Sequence, residues 1–223
     1  MKKISILLTF LLACFRSEAQ SPGFFGGINF GLQNSWIFNK NDFDEGGQLD
    51  FEATYRPAFG INLAYGFSAS SSLVSGLIYS LQGQKYVTAN VDNADFYTDL
   101  SYLKIPLLYQ LTAGGDRKVN FLLQTGFQAS FLLSAQSTRN QAFGFYTPDE
   151  IDVKDRYAPF VMDFVLGLGL QVNFDKWAIQ VLFRPDYSLT DIEKTGEKSS
   201  SRALTQNLTV GIPQVGVNYY LNR

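Results

Sequence analysis

Apolar and polar residues alternate one by one along much of the chain, and this period of two indicates β-strands. The clearest stretch, residues 119–133, has Phe127 on its apolar face and Gln128 on its polar face. Residues 160–174 and 177–189 repeat the arrangement with equally long apolar faces. Beyond the N-terminal region, no segment keeps the three-to-four-residue spacing of an amphipathic helix. The pattern therefore predicts an all-β protein.

Eight segments show this alternation, and they are residues 24–33, 59–67, 73–87, 97–112, 119–133, 160–174, 177–189 and 204–221. In the last segment the apolar residues occupy even positions as far as Ile212 and odd positions from Val215 onward. One extra residue in a strand shifts the alternation in this way, so we predict a β-bulge near Pro213.

The connections between the predicted strands alternate between short and long. Residues 68–72, 113–116 and 175–176 are tight turns, whereas the polar connections are residues 35–57, 88–96, 136–157 and 191–203. An even number of strands with short turns at one end and long loops at the other is typical of outer-membrane barrels. No linker-like segment divides the chain, so we predict a single barrel domain.

The direction of the apolar faces separates a membrane barrel from a soluble barrel of the lipocalin kind, which has a similar length. Eight long faces rich in Phe and Leu exceed what the narrow interior of an eight-stranded barrel can hold. They must therefore point outward, towards lipid. Aromatic residues at both strand ends fit two membrane-interface belts: Tyr65, Phe67, Phe174, Trp177 and Tyr219 near the short turns, and Tyr55, Tyr79, Tyr86, Tyr102 and Tyr187 near the long loops. The predicted fold is an all-β, eight-stranded antiparallel up-and-down transmembrane β-barrel with short periplasmic turns and long extracellular loops.

The N-terminus has the three parts of a secretory signal: two lysines, an apolar run over residues 4–15, and small residues before a cleavage point after Ala19. The apolar run is too short for a transmembrane helix. We predict a signal peptide over residues 1–19 and a barrel domain over residues 20–223. An alternative is that residues 11–14 form a lipobox and that Cys14 carries a lipid. Both alternatives predict export from the cytoplasm.

The composition argues against several classes of function. The chain has no histidine, which is the commonest general base and metal ligand. Its one cysteine, Cys14, lies in the predicted signal peptide, so disulfides, thiol catalysis and zinc sites are not expected. A net charge of −2 provides no basic surface for nucleic acid. We expect a protein that is not an enzyme and that uses no cofactor or metal.

Four stretches resemble the PorT-like outer-membrane β-barrel family of Bacteroidota, which are Gram-negative. They are LSYLKIPLL at 100–108, QTGF at 124–127, DFVLGLG at 163–169 and YSLTDI at 187–192. The resemblance spans about residues 26–220, although the chain ends in Leu-Asn-Arg and not in an aromatic residue. It implies an eight-stranded barrel in the outer membrane. It also implies a role for some members in assembling the type IX secretion apparatus.

Four charged residues fall on the inward-facing positions of the predicted strands, namely Lys104, Asp163, Arg184 and Asp186. One interpretation is a selectivity ring or substrate site. The other, which we favour, is an ion-pair network that closes the lumen, because buried charges need partners. The sequence therefore predicts a monomeric structural or assembly component that contacts outer-membrane lipid and acts through envelope or secretion-system proteins. The alternative is a small transport or ligand-binding barrel that uses its polar lumen.

Overall fold

The computed structural model describes residues 23–39, 49–88, 95–115, 117–140, 149–194, 196 and 203–221. These residues form one 3₁₀ helix, Lys154–Arg156. They also form ten strands: β1 (Gly23–Asn39), β2 (Leu49–Glu52), β3 (Tyr55–Gly66), β4 (Ser71–Thr88), β5 (Asp95–Ala113), β6 (Val119–Asn140), β7 (Asp149–Asp152), β8 (Phe160–Asn173), β9 (Trp177–Ser188) and β10 (Thr205–Tyr220). The helix in this part of the chain is too short and polar to cross a membrane.

Eight of the strands close into a ring in which each strand is antiparallel to both neighbours. The order around the ring is β1, β3, β4, β5, β6, β8, β9 and β10, and β10 pairs back onto β1 from Phe25↔Tyr220 to Asn39↔Thr205. Strands adjacent in the ring follow one another along the chain, apart from the short β2 and β7. The predicted eight-stranded up-and-down barrel is confirmed.

The two faces of the barrel wall differ as the alternation predicted. Phe127 and Leu168 lie on the outer face, with 55% and 50% of their surfaces exposed. Their neighbours on the inward positions, such as Gln128 and Gln171, are each only 1% exposed. The barrel therefore presents apolar side chains outside and amide, hydroxyl and charged side chains inside, which is the arrangement required when lipid surrounds the protein.

Aromatic side chains cluster on the outer face at the short-turn end. The rings of Phe24 and Tyr65 lie 4.9 Å apart, and those of Trp177 and Tyr219 lie 4.8 Å apart. At the other end Tyr55, Tyr79 and Tyr187 are exposed as expected, but the placement of Tyr102 in the outer belt is wrong. Tyr102 is 2% exposed, because it shares the inward-facing parity of Lys104 two residues later.

The bulge predicted near Pro213 is present in β10. Pairing with β1 shifts between Gly31 and Gln33, and pairing with β9 shifts between Gly211 and Gln214. Before the shift odd-numbered residues such as Thr209 face the lumen, and after it even-numbered residues such as Asn218 do so, which places Val215 on the outer face.

The long-loop end contains more regular structure than the sequence predicted. Residues 35–57 and 136–157 were expected to be loops, but β1 and β6 continue to Asn39 and Asn140. The short β2 pairs with β4, and the short β7 pairs with β6. In the extension of β1, Ile37 is buried against residues inside the barrel mouth. The predicted signal peptide and the loop tips lie outside the described residues.

Candidate functional site in the barrel lumen

The four charged residues predicted to face the lumen are all buried inside the barrel. Lys104 lies on β5, Asp163 on β8, and Arg184 and Asp186 on β9, with exposed fractions between 4% and 8%. Strand β6 lies between β5 and β8, and its Ser130 is opposite Lys104. We call Lys104, Asp163, Arg184, Asp186, Gln128 and Ser130 the charged layer.

Lys104 and Asp186 form a buried ion pair within this layer. The Lys104 ammonium donates to Asp186 Oδ2, and the two side chains are 5% and 10% exposed. The sequence placed both residues on the inner face. It did not indicate that Lys104, from a distant strand, is the cation that contacts Asp186.

Gln128 connects the remaining charges and was not recognised as a site residue. Its Oε1 accepts a hydrogen bond of 2.7 Å from Arg184 Nη2. Its Nε2 donates to Asp163 Oδ2 and Asp186 Oδ2, each at 3.1 Å. Within the described residues Arg184 has no carboxylate oxygen within 4 Å, so this amide links the guanidinium to both carboxylates. The one sequence signal for this role is the position of Gln128 on the polar face of its strand.

Asp163 is held by neutral donors and not by a cation. Gln128 and the hydroxyl of Ser130 both donate to its Oδ2. Arg184 Nη1 also donates to Gln214 Oε1, at 3.5 Å. Each charged group of the layer therefore has polar contacts, as buried charges require.

Towards the short-turn end the lumen is filled by uncharged amides. Gln124 donates to Gln110 at 2.8 Å, and Gln180 donates to Gln171 at 2.9 Å. Towards the long-loop end it is filled by an outer apolar cluster of Ile37, Leu100, Tyr102, Leu132, Ala135, Val153, Val161 and Ile192. Backbone hydrogen bonds such as Ala158 N to Ile192 O, 2.8 Å, tie the connecting segments over this cluster.

Three small cavities adjoin the charged layer. Two have volumes of about 30 Å³ each and both border Arg184 and Gln214. The third, of about 10 Å³, lies between the charged layer and the outer apolar cluster. A single water needs about 10–15 Å³ measured in this way, so each space holds one to three molecules of that size. No group of three or more Asp, Glu, Cys or His side chains suited to a metal ion occurs in the part of the chain that the structure describes.

Several solved outer-membrane barrels are similar to this chain. OprG from Pseudomonas aeruginosa is 11% identical, with 93% of this chain and 100% of that chain covered and a TM-score of 0.49. The outer membrane protease OmpT from Escherichia coli is 8% identical, with 92% and 99% covered and a TM-score of 0.48. Neisserial surface protein A is 9% identical, with 90% and 99% covered and a TM-score of 0.44. No functional assignment follows from these values.

A search of curated proteins finds no match to the sequence. The family model described as "Outer membrane protein beta-barrel domain" matches residues 17–194, well over half of the chain. The match covers the strands from β1 to β9, and those strands contribute every residue of the charged layer. The chain therefore belongs to the outer membrane protein beta-barrel domain family and is an outer-membrane protein.

Proposed function

We propose that this protein is a non-enzymatic structural or assembly component of the outer membrane, of the PorT-like kind, that acts by binding other envelope or secretion-system proteins. In this proposal residues 1–19 are a signal peptide that is removed on export. The mature chain is a monomeric barrel surrounded by lipid. Its long-loop end faces the outside of the cell, as is usual for such barrels.

The observation that carries the proposal is the filled lumen. The Lys104–Asp186 ion pair spans the interior, and the outer apolar cluster covers it on the long-loop side. The adjoining cavities, of about 10 to 30 Å³, have room for water and not for a solute. A protein with its interior occupied in this way has its outer surface and its loops left for interactions.

The long-loop end offers a folded surface for a partner. There β2, β4, β5, β6 and β7 form a five-stranded sheet that continues beyond the ends of β3 and β8. An ion pair between Lys85 and Glu52 connects β4 to β2 within this sheet, and a second, between Arg56 and Asp99 at 2.5 Å, connects β3 to β5. Such preorganisation lowers the entropy cost of binding a partner.

Chemistry in the lumen has little support from the residues present. Hydrolases and acyltransferases generally activate Ser or water with a base, most often His, and the sequence has none. Asp163 and Asp186 are held by Gln128, Ser130 and Lys104. Within the described part of the chain, the cavities that border them, of about 10 and 30 Å³, are too small for a substrate.

The alternative function, a small transport or ligand-binding barrel, is favoured by one observation. Arg184 Nε has no hydrogen-bond partner among the described residues, and the side chain borders both cavities of about 30 Å³. A rearrangement that joined these two cavities would create a polar path through the lumen, with the Arg184 guanidinium on its wall.

Recovery of partners from native membranes tests the proposal. We would solubilise membranes in mild detergent and recover the wild-type barrel together with its bound proteins. Deleting residues 142–147, in the connection between β6 and β7, should remove a specific partner. Deleting residues 90–93, between β4 and β5, serves as the matched loop control. Heat-dependent gel mobility confirms that each variant still folds.

Conductance measurements test the alternative. The wild-type barrel in planar lipid bilayers should show no stepwise single-channel current, because its lumen is filled. A steady conductance whose ion preference changes with Arg184→Gln would contradict the proposed function and support the transport alternative.

A further inference from the structure

Strand β7, at the long-loop end, has one edge that no other strand covers. Within the described residues it pairs only with β6, from Gln136↔Asp152 to Arg139↔Asp149. The opposite edge forms no backbone hydrogen bond to any other described residue. Such an edge presents unpaired N–H and C=O groups, to which a further extended segment can add as a strand.

The free edge is held in place at its lower end. Val153, directly after β7, is buried in the outer apolar cluster, and its N–H donates to Ala135 O at 3.0 Å. Asp152 Oδ1 accepts a hydrogen bond of 2.8 Å from Lys154 N, where the chain enters the 3₁₀ helix. The strand is therefore preorganised, which lowers the entropy cost of adding another strand to it.

The side chains of β7 alternate between acidic and apolar. Glu150 and Asp152 share one face of the strand, and Ile151, with 57% of its surface exposed, lies on the other. Both carboxylates are exposed, and no ion pair among the described residues involves either of them. A strand added to this edge has its own residues opposite these side chains. Basic residues on one face and apolar residues on the other would match them.

The charge of the whole long-loop end has the same sign. Its strand ends and connections, residues 40–57, 85–99, 136–157 and 189–203, contain 15 acidic and 9 basic residues, a net charge of −6. The short-turn connections, residues 113–118 and 175–176, contain 2 acidic and 3 basic residues. A basic partner is therefore attracted to the end at which β7 lies.

Two other arrangements fit less well. Strand β2 pairs only with β4 among the described residues, but its Glu52 is already engaged by Lys85. A second copy of this chain that paired through β7 would bring carboxylates opposite carboxylates, and like charges in that position are destabilising.

We propose that the free edge of β7 binds an extended partner segment of alternating basic and apolar residues, which adds as a further strand. The inference rests on the proposed function, because it describes how the envelope partner is recognised. Backbone hydrogen bonds supply the affinity, and Glu150, Asp152 and Ile151 select the sequence.

Binding of short labelled peptides to the full chain in nanodiscs of zwitterionic phosphatidylcholine tests the proposal by fluorescence anisotropy. A peptide of alternating Lys and Val should bind saturably, and its Glu–Val counterpart should bind about tenfold more weakly. A Lys–Val peptide with N-methylated backbone amides keeps the charge but cannot donate to a strand edge, so it should not bind. Glu150→Lys should weaken binding of the Lys–Val peptide. Asp155→Lys, an equal charge change at an exposed position beside the strand, is the matched control and should leave binding unchanged.

Disulfide trapping reports the face of each contact. In a Cys14→Ser background the chain has no other cysteine. Glu150→Cys should cross-link to a peptide with cysteine in place of a Lys, and Ile151→Cys to one with cysteine in place of a Val, because neighbours across a ladder share a face.

Equal binding of the Lys–Val and Glu–Val peptides, undiminished binding after N-methylation, or cross-links without face preference would each overturn the proposal. So would a disulfide-linked dimer of Glu150→Cys barrels formed in place of the peptide cross-link, since the occupant would then be a second copy. Partners that co-purify from native membranes with wild type and Glu150→Lys alike would overturn this inference and leave the assembly role standing. Absence of any partner from the wild-type barrel would instead contradict the assembly role.

Discussion

Lys104 and Asp186 form an ion pair across the lumen from strands β5 and β9, which are separated in the ring by β6 and β8. The pair therefore connects parts of the barrel wall that share no backbone hydrogen bonds with each other. Because both side chains are buried, removing one of them leaves an uncompensated charge inside the barrel.

Lys104→Met should lower the free energy of unfolding by about 3–5 kcal/mol, since it leaves Asp186 buried without its cation. Urea unfolding of the refolded barrel in lipid vesicles measures the change. The double variant Lys104→Met with Asp186→Leu should recover most of the loss, because neither charge remains. If the losses of the two single variants simply add in the double variant, the two residues do not form a pair.

Gln128→Leu should lower the free energy of unfolding by roughly 1–3 kcal/mol, because it removes one contact from Arg184 and one from each carboxylate. Gln136→Leu on the same strand is the matched control, since Gln136 is exposed. Urea unfolding of both variants separates the two effects. A cost for Gln128→Leu no larger than that of the control would mean that the amide does not bridge the charges.

An arginine substituted on the outward face should weaken membrane insertion by an amount that depends on its depth in the membrane. Phe127→Arg or Leu168→Arg, near the middle of their strands, should impair insertion by about 2–4 kcal/mol. Phe121→Arg, which is close to a short turn, should cost only about 0–1 kcal/mol. The folded fraction in vesicles, read from heat-dependent gel mobility, gives the comparison. Equal costs at the three positions would contradict the assigned lipid-facing band.

Gly169→Ala should prevent the normal pairing of β8 with β9. A Cβ atom at this position would lie 2.0 Å from the backbone oxygen of Val181 on the neighbouring strand, and backbone atoms in a closed barrel have little freedom to move away. Gly66→Ala is the control, because the nearest atom to its new Cβ would be 3.6 Å away. The yield of folded, heat-modifiable barrel after refolding measures both. Normal folding of Gly169→Ala would mean that the two strands are further apart than described.

The sequence predicted which face each strand residue occupies, because that choice depends only on local alternation. Lys104, Asp163, Arg184 and Asp186 were assigned to the lumen on this basis, and all four are buried there. The same rule applied to Tyr102 would have placed it inside. It was assigned to the outer belt because aromatic residues near a predicted loop suggested a membrane interface.

Alternation does not reveal which inward residues meet. The contact between Lys104 and Asp186 depends on the tilt and stagger of several strands, which are properties of the closed ring. The role of Gln128 could not be predicted for the same reason. The lumen contains many amides, and Gln128 links the charged groups only because strand register places it opposite Asp163. The extra strands β2 and β7 escaped prediction because short polar segments pair only once longer neighbours such as β4 and β6 are in place.

The pairing of β1 with β10 also bears on how the molecule can assemble. Phe25 and Tyr220 come from opposite ends of the chain, so this seam is the contact with the greatest separation in sequence, and such contacts form slowly. Until the seam closes, two strand edges expose backbone polar groups that lipid cannot satisfy. A partly formed barrel is therefore unstable in the bilayer. The free edge of β1 must stay shielded from lipid until β10 is in place to pair with it.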